Sequence, residues 1–186
     1  YTAAPGEEPL ISGGLRVPAS SFGPVEDTAA LGRLPEAAHD HVLRTDLKAL
    51  GLEDYGSPGS GGLAVFSGEE RMTLARWPND GFARIEDVLG IEPKDVRGTK
   101  GDTVGVFVYE GERPQRWVGE KDLWVHGYWF WDWSDQRQAV KRIDTDRRTI
   151  ELEPPYHSYG YRAGQWYYAY NALSELDRPG EWYLDR

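Results

Sequence analysis

The stretch Leu123–Trp133, LWVHGYWFWDW, constrains the chain more than any other, because Trp124, Trp129, Trp131 and Trp133 are half of its eight tryptophans. Side chains on a strand alternate between faces. One face would carry Trp124, His126, Tyr128 and Phe130, and the other Val125, Gly127, Trp129, Trp131 and Trp133. Both faces are aromatic, so the expectation is a central strand covered on both sides. Burying one such ring is worth roughly 1.5–3 kcal/mol. A second reading stands beside it, in which Trp129, Trp131 or Trp133 opens onto a groove and stacks on a flat ligand such as a sugar ring.

The rest of the composition fits a β protein. Twelve prolines, 22 glycines and 13% aromatic residues suit a turn-rich chain, and 186 residues suit one domain with a real core. The formal charge of −10 argues against nucleic acid or an anionic membrane as partner, and is compatible with neutral sugars. The absence of cysteine removes disulfides and thiolate metal sites. No apolar run approaches the roughly 20 residues of a membrane span.

Alternation and turn residues place strands at Ala64–Phe66, Met72–Arg76, Phe82–Ile85, Val104–Tyr109, Ala139–Asp144, Thr149–Leu152, Gln165–Tyr170 and Glu181–Asp185. The segment DTDRR, Asp144–Arg148, reads as a hairpin turn, and Glu86–Gly101 as a polar connection. Short helical turns are expected at Thr28–Leu34 or Pro35–His41 and at Leu173–Leu176. The fold class is all-β, a compact β-sandwich or barrel-like module. Residues 15–62 are irregular and 63–186 hold the main strands. Tyr1 enters as though in mid-strand and EWYLDR closes strand-like, as expected of a segment of a longer or processed protein.

Two loops offer ligand contacts. Trp77-Pro78-Asn79-Asp80-Gly81 would present the ring of Trp77 and the amide of Asn79 on a stiff turn, or simply cover the core. Pro154–Tyr161, PPYHSYGY, would hold Tyr156, His157, Tyr159 and Tyr161 outward, where rigid aromatics lose little entropy on binding, or fold them back as a lid. His39 and His41 flank Asp40, but such a pair needs a third ligand to hold zinc, and no EF-hand spacing supports calcium. No metal or cofactor is expected.

The phrases RMTLARWPNDGF and GYWFWDW through ELDRPGEWYLDR, with the opening YTAAPGEEPLISGG, resemble the insertion domain of right-handed parallel β-helix glycoside hydrolases, in particular glycoside hydrolase family 141. The resemblance implies that residues 1–14 are a stub of the β-helix and 15–186 the insertion. It implies the parent β-helix in the same polypeptide and a plant or algal polysaccharide as partners, and an extracellular or periplasmic setting. The family's catalytic carboxylates lie on the β-helix, so none is carried over. Asp132 and Asp135 flank Trp133 and are the one acidic pair in an aromatic stretch, yet no further spacing supports catalysis. Two functional readings follow: a non-catalytic accessory domain flanking the carbohydrate cleft, or an independent carbohydrate-binding module whose exposed rings come from Trp129, Trp131, Trp133 and Trp166.

Overall fold

The computed structural model describes residues 3–9 and 12–186. Strand makes up 31% of the chain and helix 12%, and among the described residues no helical element is longer than five residues. The protein is all-β. Its nine principal strands are β1 (Arg76–Trp77), β2 (Ala83–Val88), β3 (Pro93–Val96), β4 (Thr99–Asp102), β5 (Val106–Tyr109), β6 (Trp124–Tyr128), β7 (Gln136–Asp144), β8 (Thr149–Leu152) and β9 (Trp166–Tyr170).

Six of these close into an antiparallel barrel. β6 pairs with β7, β7 with β8, β8 with β5, β5 with β2, β2 with β9, and β9 returns to β6. A barrel this small has its interior filled by side chains. The period-2 pattern supplies them: Phe107 and Tyr109 from β5, Val125 from β6, Ile150 and Leu152 from β8, and Tyr167 and Ala169 from β9 all point in and are buried. Their rings meet edge to face, Phe107 with Tyr167 at 5.0 Å and Trp129 with Tyr161 at 5.5 Å.

The two ends are closed differently. At the start of β6 and the end of β9, Trp117 fills the mouth, with the Trp77 ring 5.7 Å away. Its Nε1 donates to Glu175 Oε1 at 2.5 Å. Arg113 Nε donates to both oxygens of that wholly buried carboxylate, at 2.9 and 3.0 Å, so the charge is paired and bonded as burial requires. At the other end sit Phe130 and Tyr161. A smaller cluster of Leu34, Ala75, Leu173 and Leu176 packs the region before residue 62 against the arm that follows β9.

Several expectations are corrected. The aromatic strand ends at Tyr128 instead of running to Trp133. Beyond that end the Trp129 ring folds back beneath its own strand, where a Cβ on Gly127 would lie 2.7 Å from it, and donates to the Gln136 carbonyl at 2.9 Å. Only the inner face is fully buried; Trp124, His126 and Tyr128 are half-buried outside. Met72–Arg76 is split, Thr73–Leu74 pairing in parallel with Glu181–Trp182 while β1 joins β9. Glu86–Gly101 is no mere connection, since β2 extends through Val88 and β3–β4 form a hairpin. Of residues 1–14, Tyr1, Thr2, Leu10 and Ile11 lie outside the described residues; the others form no strand.

Candidate functional site

Three segments converge beyond the end of β6. They are the Trp129–Ser134 loop, the Pro154–Tyr161 loop and the tip of the β3–β4 hairpin, and between them lies a depression of about 270 Å3 lined by Val96, Arg97, Trp131, Trp133 and Tyr159. Trp133 is 68% exposed. Its ring meets that of Tyr159 at 5.4 Å and 77°, so the two form a corner rather than a flat platform. Trp131 is half-buried against Phe130, 4.9 Å away at 72°, and the Arg162 guanidinium sits 5.6 Å from its centroid.

The walls are fixed from behind. Gln136 and Gln138 both donate to the Pro155 carbonyl at 3.1 Å, and Gln138 Oε1 accepts from the Tyr161 hydroxyl at 2.7 Å. That hydroxyl also accepts from the His157 amide at 3.0 Å. His157 Nδ1 faces the Gly160 carbonyl at 3.2 Å; a carbonyl only accepts, so Nδ1 carries the proton and Nε2 accepts from Ser134 Oγ at 3.1 Å. Burial pulls the His157 imidazole below its usual range, and Lys94 adds to this. His157 therefore ties the tyrosine loop to the tryptophan loop as a neutral group. The hairpin docks by close backbone approach. Gly101 faces the Tyr161 carbonyl, Gly160 faces the Asp102 carbonyl, and a Cβ on either would stand 2.3 Å from that oxygen.

The expected site residues thus divide. Trp131, Trp133 and Tyr159 come together in the depression. Trp129 and Tyr161 have no exposed surface and belong to the core, while His157 is buried and Tyr156 packs on the core from outside, 6.3 Å from the Tyr161 ring. Trp129 and Tyr161, with no surface in water, have no face free to stack on a ligand. Trp77 and Asn79 lie at the opposite end of β9. There Asn79 Nδ2 donates to Asp177 at 2.8 Å and Arg178 to Asp80 at 2.9 Å. The ARWPN and ELD phrases that carry the family resemblance therefore meet each other in a structural network, remote from the depression. Trp166 lies on the barrel's outer wall beneath Arg84.

The Asp132–Asp135 pair does not converge on one cleft. Asp135 Oδ2 binds His126 Nε2 at 2.6 Å on the outer wall, and that bond holds the carboxyl below its usual range. Such a group suits an ionised partner better than a proton donor. Asp132 accepts from Gln165 Nε2 at 3.3 Å. Among the described residues no three His, Cys, Asp or Glu side chains are grouped to hold a metal ion.

No family model, curated protein or solved structure matches the chain. Sequence reasoning missed Val96 and Arg97, whose signal was the two-residue Arg97-Gly98 turn between alternating residues, and Arg162, which had none.

Proposed function

We propose that the chain is a non-catalytic, carbohydrate-contacting accessory domain of a larger secreted β-helix glycoside hydrolase, and that it meets its glycan at the corner of Trp131, Trp133 and Tyr159. The observation that carries this reading is Trp133, which leaves 68% of its surface in water while a perpendicular tyrosine and a braced loop hold it in place. An exposed ring held rigid beside a second ring presents an apolar face to the C–H side of a sugar, at low entropic cost. The depression is smaller than the roughly 300–1,000 Å3 of drug-sized sites, which suits one sugar unit at a chain end or branch. The perpendicular rings disfavour the alternative, an independent module with coplanar rings tracking a long polysaccharide. The parent enzyme and its setting rest on the resemblance of the quoted phrases.

The test is a fluorescence titration of the purified chain with xylan, fucosylated glycans and other plant and algal polysaccharides. Saturable binding that Trp133→Ala removes, with the unfolding midpoint unchanged, supports the reading. Binding that survives Trp133→Ala and Tyr159→Ala together, or no binding to any glycan, sinks it.

A further inference from the structure

Among the described residues, three other than glycine adopt positive φ: Arg97 at 54°, Arg148 at 55° and Asn171 at 58°. For side chains other than Asn, Asp and Gly this region is disfavoured, by an amount that a local interaction has to offset. Two of the three have a visible reason. Arg148 donates to Glu86 at 2.6 Å and to the Tyr109 carbonyl at 2.8 Å. Asn171 is buried and joins Asp122 to Leu184 through its side-chain amide.

Arg97 has no such reason. It is the first of the two residues linking Val96 to Thr99, and with Gly98 at 84° it makes the type I′ pattern, in which Asn, Asp or Gly is the favoured occupant. The turn's side-chain hydrogen bond runs from the Gly98 amide to Asp95 Oδ1, at 2.7 Å. The Arg97 guanidinium is exposed, lines the aromatic depression and has no hydrogen-bond or ion-pair partner among the described residues. The turn geometry sets the positive φ at Arg97 but does not call for arginine, and an exposed, unpaired guanidinium at the rim of an aromatic depression is free to meet a ligand. A guanidinium presents a planar fork of donors that matches a carboxylate or a sulfate with two parallel bonds.

We propose that the depression takes an anionic saccharide unit, a sugar bearing a carboxylate or a sulfate ester, stacked in the Trp133–Tyr159 corner with Arg97 gripping its charge. This rests on the glycan reading above and narrows its ligand class. The two sources of charge share one recognition chemistry, and the probes separate them.

The experiment titrates the chain, and its Arg97→Gln, Arg97→Lys and Arg97→Asn variants, with oligogalacturonate, a sulfated carrageenan oligosaccharide and a neutral xylo-oligosaccharide. The expected result is about tenfold tighter binding of one anionic probe than of the neutral one, lost in Arg97→Gln and partly kept in Arg97→Lys. Arg97→Asn should also lose the preference while its unfolding midpoint rises, because asparagine tolerates the turn. Equal affinity for neutral and anionic probes, or a preference that survives Arg97→Gln, overturns this inference and leaves the glycan reading standing. No binding of any probe or polysaccharide overturns both.

Discussion

At the scale of single residues, two tyrosines in one barrel show how a hydroxyl's surroundings decide its worth. The Tyr161 hydroxyl donates to Gln138 and accepts from the His157 amide, and burial still pushes its pKa up to about 12. The Tyr167 hydroxyl is buried with no partner among the described residues, and burial raises its pKa further. Removing the first leaves a buried amide and a buried side-chain carbonyl unpaired; removing the second deletes a group that was desolvated for nothing. Tyr161→Phe should therefore cost about 1–3 kcal/mol, and Tyr167→Phe should be neutral or stabilising by up to about 1 kcal/mol. Urea denaturation of the two variants checks the sign of each.

At the scale of elements, the site stands on the contact between the β3–β4 hairpin and the Pro154–Tyr161 loop. Gly160 holds a φ of 84° and leaves no space for a side chain against the Asp102 carbonyl. Gly160→Ala should therefore destabilise by at least about 1–3 kcal/mol and loosen the depression, read as a lower unfolding midpoint with a changed Trp133 emission. The same loop gives a pH dependence. His157 has a folded pKa below its unfolded value, so the unfolded chain binds the proton more readily and stability falls as pH drops. The expected loss runs downward from about pH 6.5, and because burial also lowers the His126 imidazole, His157→Gln should remove only part of the slope there.

Much of this architecture was legible. Thr149–Leu152 falls where alternation places it, and β5 and β9 lie within a residue or two of the expected strands. The hairpin was not legible, because PKDV and TKGD dock through backbone and glycine contacts and have no buried apolar face for a period-2 pattern to reveal. The site was half legible for a related reason. Trp129 and Trp133 are the same residue type, four positions apart, and one is wholly buried while the other is 68% exposed. What separates them is that the Trp129 ring fits beneath its own strand only because Gly127 has no Cβ, a role that appears only once that packing is seen.

At the scale of the whole molecule, the protein is a sealed barrel with a loosely built flank. The barrel's strands share one core, whereas residues 15–62 hold two-residue strands and single turns over a minor cluster. Amide hydrogen exchange should resolve the two: amides of β5, β6, β8 and β9 exchange only through global unfolding, and those between residues 15 and 57 exchange through cheaper local openings. Uniform protection across both would contradict this division.

The return of β9 to β6 has one more consequence. Strands this rich in tyrosine and tryptophan, left open at a margin, would offer neighbouring molecules a row of free backbone groups and a sticky surface on which to build fibrils. Because the six-stranded circuit has no margin, that sheet offers copies of the chain no open row of backbone groups to pair with.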